Sequence, residues 1–274
     1  MSLVLLAILV GTLSAGVGSV LLAALLARAL MTRFTQHLLS LAAGALLATA
    51  FMHLLPEAFE SDITPHVLFT TLLAGLVFFF LLDKAELWHH GHEHGEGHHH
   101  AHGGTHDHAH HQQADDSHHP SPQGFSGSWA VLAGDSVHAF GDGILVAAAF
   151  MTNFSLGVAA SLAVLAHETP HHMGDLAVLQ RGFGQGRAAL FKLCLAGGVT
   201  VVGGLFGFQL IEGHEDWLPF LLVIASSSYV YVALADLIPQ LQKRLTASAT
   251  SMQVMWLLAG IGLVTLATQL MHVH

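Results

Sequence analysis

Eight mostly apolar segments, each about 18 to 26 residues long, constrain the fold of this chain more than any other feature of its sequence. A helix needs about 20 such residues to cross a bilayer. The segments span residues 2–27, 38–58, 66–83, 128–151, 155–178, 188–211, 217–239 and 252–271. Only 9% of the 274 residues are charged, whereas soluble proteins carry about 25%. The sequence therefore predicts an all-α polytopic membrane protein with eight transmembrane helices, and it excludes a soluble enzyme and a disordered protein.

Lysine and arginine residues indicate how these spans are oriented. They all lie in or beside the loops that follow spans one, three, five and seven. They are Arg28, Arg33, Lys84, Arg181, Arg187, Lys192, Lys243 and Arg244. Because loops rich in lysine and arginine stay in the cytoplasm, this pattern predicts that both termini lie outside, in an inner or plasma membrane. With 8 basic against 18 acidic residues, the chain lacks the basic surface of a nucleic-acid-binding protein.

A low-complexity segment at residues 89–127 separates spans one to three, within residues 1–88, from spans four to eight, within residues 128–274. Of the 24 histidines, 14 lie between His89 and His119. Nothing in this composition can bury a core, so we expect a disordered cytoplasmic loop within one membrane domain. Imidazoles are good ligands for zinc and similar metals. The loop is therefore either a metal buffer or sensor, or a solvated spacer.

Ionisable residues inside spans four and five are the strongest functional signal. They are Asp135, His138 and Asp142 in span four, and His167, Glu168, His171, His172 and Asp175 in span five. Each such residue costs at least about 2.5–3.5 kcal/mol near the bilayer centre, so all of them unpaired would cost roughly 20 kcal/mol. They must therefore face each other, water or a cation.

Spacing places these groups at matching depths on two neighbouring helices. The residues of span four share one helical face because their spacing is i, i+3, i+7. The turn at about residues 152–155 is so short that the two spans must be antiparallel neighbours. Histidines and carboxylates from two facing helices suit a borderline divalent ion such as Zn²⁺. The predicted ligands are His138, Asp142, His167, His171 and, as a bridging or supporting ligand, Glu168; Asp135, His172 and Asp175 are predicted to support the site or line its pathway.

A short pattern recurs near the ends of spans two and seven. Span two ends with His53-Leu54-Leu55-Pro56-Glu57, and span seven ends with Asp236-Leu237-Ile238-Pro239-Gln240. Because the two spans run in opposite directions, the match predicts an inverted repeat that relates spans one to three to spans six to eight, around spans four and five. Inverted repeats are typical of transporters. In this arrangement His53 and Glu57 lie near the outer mouth of the pathway, and Asp236 lies near the inner one.

The residues from His167 to His171 also match H-E-x-x-H, the motif of zinc proteases, so an intramembrane metalloprotease is the enzyme alternative. Three points disfavour it. Pro170 distorts the helix that must present both histidines. Span four offers further ligands, which would close the coordination position that a catalytic zinc keeps open for water. Proteolysis also has no use for the histidine-rich segment. No nucleotide-binding motif is present. A metal sensor or a regulated channel would use the same site.

Two motifs resemble those of the ZIP family of divalent-metal transporters (Zrt/Irt-like proteins). The family's H-N-x-x-[DE]-G resembles the segment from His138 to Gly143. Its H-E-x-P-H-E-x-G-D, found in the branch with histidine-rich loops, resembles the segment from His167 to Asp175. The resemblance implies eight spans, both termini outside, a cytoplasmic histidine-rich loop after span three, and a transporter rather than an enzyme.

The resemblance also implies roles for individual residues. His138, Asp142, His167 and His171 correspond to the family's primary metal site, and Asp142, Glu168 and His171 to an adjacent second one. Ala139, His172 and Thr200 depart from the second site's pattern, so we expect one metal site rather than a full binuclear centre. Zinc uptake into the cytoplasm is implied, by an elevator-like movement and often in a homodimer. His167 favours Zn²⁺ over Fe²⁺ or Mn²⁺, although these ions and Cd²⁺ remain open as substrates.

Overall fold

The computed structural model of the chain describes residues 3–29, 35–91, 123–183, 186–241 and 246–272, and all regular secondary structure in these ranges is helical. The described residues form eight helical runs. Helix α1 comprises Leu3–Leu13, the π-helical segment Ser14–Gly18 and Ser19–Ala29. Helix α2 comprises Thr35–Thr49, the π-helical segment Ala50–Leu54 and Leu55–Phe59. Helix α3 is Pro65–Gly91. Helix α4 is Gln123–Thr152, α5 is Phe154–Phe183, and α6 is Gly186–Ile211. A 3-10 turn at Glu215–Trp217 precedes α7, which comprises Leu218–Tyr231, the π-helical segment Val232–Leu237 and Ile238–Leu241; α8 is Ala247–His272.

Among the described residues, six of these runs contain a stretch that is long and apolar enough to cross a membrane. The stretches are Leu3–Ala27, Gln36–Phe59, Pro65–Leu82, Gly186–Ile211, Glu215–Ala235 and Ser248–Leu270. Helices α4 and α5, which carry the ionisable residues, are not among them, yet each has 30 residues and so a length of about 45 Å. The described residues are thus helical throughout their regular structure and consistent with a polytopic membrane protein, while eight crossings stay a prediction.

Three helices extend beyond the apolar segments that predicted them. Helix α3 continues to Gly91, α4 begins at Gln123, and α5 ends at Phe183. A hydropathy pattern marks only the part of a helix that suits lipid, and the backbone hydrogen bonds can continue past it into water. Residues 89–91 and 123–127, which the sequence placed in the loop, are therefore helical. Residues 92–122, which hold most of the histidine-rich segment, lie outside the described residues.

The turn between α4 and α5 is as short as the sequence predicted. Only Asn153 separates the two helices. Its side-chain oxygen Oδ1 accepts hydrogen bonds from the backbone N–H and from the hydroxyl of Ser155, both at 2.9 Å. An asparagine oxygen that satisfies a free N–H at a helix start is a typical N-terminal cap. The cap fixes α4 and α5 as antiparallel neighbours, which brings their polar residues to the same level.

Helices α4 and α5 lie at the centre of the bundle. Helix α5 contacts α1, α2, α4, α6 and α8, and α4 also contacts α1, α6 and α7. Helices α3 and α8 lie outermost, with only 11% of their apolar stretches buried, and they expose large side chains such as Phe78 and Leu266. In a bilayer, lipid would cover such side chains. The arrangement therefore encloses the two polar helices within apolar ones.

Glycines let α6 approach α4 closely. A Cβ atom at Gly203 would lie 2.1 Å from the carbonyl oxygen of Phe140, and one at Gly143 would lie 2.1 Å from the carbonyl oxygen of Thr200. Both distances are far below van der Waals contact, so neither position has room for a side chain. Small residues at such contacts allow transmembrane helices to pack backbone against backbone. The glycine-rich pattern of α6 thus holds α4, and with it half of the polar cluster, in place.

Replacing Gly203 with alanine should destabilise the folded protein by about 1–3 kcal/mol, the usual cost of overpacking a filled interior. Gly198→Ala is the matched control, because a Cβ atom at Gly198 on the same helix meets nothing within 4 Å. The measurement is the temperature at which half of the detergent-solubilised protein is lost from the size-exclusion peak. A Gly203→Ala variant as stable as Gly198→Ala would show that the two helices do not pack this closely.

The two repeated sequence patterns have similar backbone structures. In the first pattern, the π-helical segment Ala50–Leu54 immediately precedes the short helix Leu55–Phe59, which contains the proline. In the second pattern, the π-helical segment Val232–Leu237 immediately precedes the short helix Ile238–Leu241, which contains the other proline. Proline lacks an N–H and its ring clashes with the carbonyl four residues earlier, so a locally wider turn before it relieves both problems. This likeness supports the inverted repeat, which stays a prediction.

The structure places the polar residues of these patterns only in part. His53 lies in the first π-helical segment, and its Nε2 atom is 3.4 Å from the hydroxyl of Thr268 on α8. Glu57 is half-buried in the short helix that follows. The side chain of Asp236 is outside the part of the chain that the structure describes. Their roles at the two mouths of a pathway stay predictions.

Candidate metal site between α4 and α5

Four of the five predicted ligands come together at one point between α4 and α5, where three of them are buried and His138 is partly exposed. Nε2 of His167 lies 2.9 Å from Oε1 of Glu168 and 3.5 Å from Oδ2 of Asp142. Nε2 of His138 lies 3.4 Å from the same Glu168 oxygen and 3.8 Å from the same Asp142 oxygen. All four ligand atoms lie within 4.8 Å of one another. We call this group, His138, Asp142, His167 and Glu168, the first cluster.

The spacing of these atoms suits a tetrahedral ion. Bonds of about 2.0–2.1 Å from zinc to nitrogen or oxygen place neighbouring ligand atoms about 3.3 Å apart. The four nitrogen-to-oxygen distances of the first cluster, from 2.9 to 3.8 Å, bracket that value. Two imidazole nitrogens and two carboxylate oxygens are also a donor set that zinc and similar borderline ions accept.

A hydrogen bond on the far side of the His167 ring orients it towards the cluster. Nδ1 of His167 lies 3.1 Å from the carbonyl oxygen of Ala163. Because a carbonyl can only accept, the proton is on Nδ1, and the neutral ring therefore presents a lone pair at Nε2. Metal-binding histidines are commonly held in this way. A lone pair that faces two carboxylates is repelled by them unless a proton or a metal ion lies between.

Several polar atoms of the site have no hydrogen-bond partner among the described residues. They are Oδ1 and Oδ2 of Asp135, Oδ2 of Asp142, Oε1 of Glu168, and Nε2 of His167 and His172. Burying charged groups without partners is costly, which is why buried charges are usually paired or bound to a metal. The convergence of these atoms therefore indicates a cation site.

Glu168 connects the first cluster to a second group of ligand atoms. Its Oε1 atom faces His138 and His167, while its Oε2 atom lies 3.2 Å from Nε2 of His172. Nε2 of His172 is also 3.3 Å from Oδ1 of Asp135. The sequence named Asp135 and His172 only as supporting or pathway residues. The i, i+4 spacing of Glu168 and His172, with Asp135 on the facing helix, was the signal that could have identified this group.

The structure does not bring His171 into either group. Its side chain is exposed, and its ring centre lies 6.5 Å from that of His138. Asp175 is half-buried, and its Oδ2 atom has no hydrogen-bond partner among the described residues. Pro170 lies inside α5, which continues through it. The contribution of His171 to metal binding stays a prediction.

The fold and the cluster define a class: a helical protein with several apolar helices of membrane length and a largely buried group of histidines and carboxylates that could hold a metal ion. Comparison with known families makes the class specific. The family of ZIP zinc transporters matches residues 82–268, which is more than half of the chain. The chain therefore belongs to the ZIP zinc transporter family, and the resemblance noted in its sequence is confirmed.

Individual relatives agree with this assignment. The chain is 30% identical to human zinc transporter ZIP4 over 252 residues, which cover 76% of this chain and 39% of that protein. It is 29% identical to zinc transporter ZIP13 of Pongo abelii over 240 residues, 82% of this chain and 64% of that protein. It is 30% identical to zinc transporter foi of Drosophila melanogaster over 140 residues, 51% of this chain and 20% of that protein. The chain thus matches between a fifth and just under two thirds of the length of these relatives.

Proposed function

We propose that this chain carries zinc across a membrane into the cytoplasm, and that the ion binds between α4 and α5. The observation that carries the proposal is the first cluster, because its ligand atoms are spaced for a tetrahedral ion inside an apolar bundle. Its residues are His138, Asp142, His167 and Glu168. Family membership and the names of the relatives support zinc as the substrate. Cd²⁺, Fe²⁺ and Mn²⁺ remain candidate substrates because they accept the same donor atoms.

The direction of transport and the topology belong to the same proposal. Eight spans with both termini outside would place every lysine and arginine on the cytoplasmic side. The histidine-rich segment would then receive the released ion. We further propose that the protein lies in the cell membrane and forms a homodimer. We also propose that the other spans form an inverted repeat around α4 and α5, and that these two helices move relative to it.

The geometry disfavours the protease alternative. A catalytic zinc of the H-E-x-x-H type needs His167 and His171 on one ion and a glutamate free to act on the bound water. Here His171 lies outside the first cluster, and both carboxylate oxygens of Glu168 lie within 3.4 Å of histidine nitrogens. His138 and Asp142 of α4 also lie in the position that a catalytic zinc leaves open to water.

A test of the α4 ligands separates the two functions. We expect His138→Ala and Asp142→Asn to reduce zinc accumulation in cells that express the protein as strongly as His167→Ala does, because all three residues share one ion. The measurement is the signal of a cytoplasmic zinc-sensitive dye after zinc is added outside, at matched amounts of protein in the membrane. A protease would need only the α5 residues. Accumulation that survives both α4 substitutions would contradict transport through this cluster.

A further inference from the structure

The second group of ligand atoms has the geometry of a metal site. The ligand atoms of Asp135, Glu168 and His172 all lie within 4.8 Å of one another. Nε2 of His172 is 3.3 Å from Asp135 and 3.2 Å from Glu168, which is the separation of about 3.3 Å expected between neighbouring ligands of a tetrahedral zinc ion. We call these three residues the second cluster.

Ser19 on α1 fixes the orientation of the His172 ring. The Ser19 hydroxyl donates its only hydrogen to the carbonyl oxygen of Gly16 at 2.5 Å. Its oxygen must therefore accept the hydrogen bond from Nδ1 of His172, which lies 3.1 Å away. With the proton on Nδ1, the neutral ring presents a lone pair at Nε2, towards the two carboxylates. This is the arrangement of a metal-binding histidine with its supporting hydrogen bond.

Burial makes the second cluster unfavourable without a cation. The side chains of His172, Asp135 and Glu168 are 1%, 2% and 4% exposed. Neither carboxylate oxygen of Asp135, nor Nε2 of His172, has a hydrogen-bond partner among the described residues. A lone pair and two carboxylates that converge repel one another unless a proton or a metal ion lies between them, and a divalent ion at their centre would remove that repulsion.

The second cluster lies to one side of the first along the helix axes. Asp135 precedes Asp142 by seven residues on α4, and His172 follows His167 by five residues on α5. At 1.5 Å per residue, these offsets are about 10 Å and about 7.5 Å, and both point towards the end of the helix pair at which α4 begins, at Gln123. Glu168 faces both clusters with different oxygens, so it could hold an ion in either.

We propose that Asp135, Glu168 and His172, with Ser19 positioning the histidine, form a second metal position through which zinc passes from the first cluster towards the cytoplasm. The proposal rests on the proposed function for the identity of the ion. Three protein ligands leave one tetrahedral position for water. We expect the second position, which has one protein ligand fewer, to bind zinc more weakly than the first.

Equilibrium dialysis of the purified full-length protein against radioactive zinc tests the proposal. The variants Asp135→Asn and His172→Gln keep the size of each side chain and remove a ligand. We expect each to bind one ion fewer per chain than the wild type at saturating zinc. A double variant, His138→Ala with His167→Ala, leaves the first cluster two carboxylates and no histidine, and it should also lose one ion. The exposed His66→Gln is the matched control and should lose none, while the histidine-rich segment contributes equally to every variant.

The variant Ser19→Ala distinguishes a metal-binding role of His172 from a merely structural one. Loss of a supporting hydrogen bond weakens metal binding by about 10–100-fold. The ion missing from Ser19→Ala at low free zinc should therefore return at higher free zinc, whereas in His172→Gln it should not. Size-exclusion profiles identical to that of the wild type establish that each variant is folded.

The outcomes separate the second position from the function itself. If Asp135→Asn and His172→Gln both bind as many ions as the wild type while the double variant of His138 and His167 binds fewer, the second position is refuted and the proposed function stands. If the double variant of His138 and His167 also binds as many ions as the wild type, the first cluster is not a metal site, and both proposals fail.

Discussion

Replacing His167 with alanine should abolish zinc uptake by this protein. His167 is the most constrained ligand of the first cluster, because the carbonyl of Ala163 holds its ring and its Nε2 atom faces both Asp142 and Glu168. Loss of a group that merely supports a ligand weakens metal binding about 10–100-fold, so loss of the ligand itself should cost at least about a hundredfold. The measurement is the initial rate of radioactive zinc uptake over a range of zinc concentrations.

His66→Ala is the matched control for this substitution. His66 is exposed near the start of α3 and belongs to neither cluster, so its variant should transport at the wild-type rate. Uptake by His167→Ala within a few-fold of the wild type would show that zinc does not pass through the first cluster.

Replacing Glu168 with glutamine should have an equally large effect on uptake and a larger effect on binding. Glu168 is the only residue of the described part whose two carboxylate oxygens face both clusters. Glutamine keeps the shape of the side chain but removes its negative charge, so each cluster loses a charged ligand. We expect the purified variant to bind two ions fewer than the wild type in equilibrium dialysis, and uptake to fall at least about a hundredfold.

The exposed Glu60, at the end of α2, supplies the matched control. Glu60→Gln removes the same charge away from both clusters and should change neither binding nor uptake. A Glu168→Gln variant that loses a single ion would show that Glu168 serves one cluster only and does not link the two.

Much of the fold and of the first cluster followed from local rules. Apolar segments of membrane length identified the helices, since burial in lipid requires them. A turn of one residue, Asn153, determined that α4 and α5 are antiparallel neighbours. Once α4 and α5 were known to be neighbours, counting residues from the turn showed that His138 and Asp142 lie at the same depth as His167. These inferences needed only the rise of a helix and the length of a turn.

The second cluster could not be derived in the same way. Successive residues of a helix differ by about 100° in direction, so spacing alone could not decide whether His171 or His172 faces α4. The structure turns His172 inward and leaves His171 exposed. That rotation depends on tertiary contacts such as the hydrogen bond that His172 donates to Ser19, which lies 153 residues away in the sequence. Ser19 is one of two serines among the mostly aliphatic residues of α1, and nothing in the sequence distinguishes it as the partner of His172.

The most direct test of zinc transport is uptake into proteoliposomes that contain the purified protein and no other. Three versions should be compared with empty liposomes under the same zinc gradient: the wild type, His167→Ala, and a variant that lacks residues 89–119. We predict uptake by the wild type and by the shortened variant, since the shortened variant keeps every residue of both clusters, and none by His167→Ala. Wild-type uptake no greater than that of empty liposomes would contradict the central claim that this chain moves zinc across a membrane.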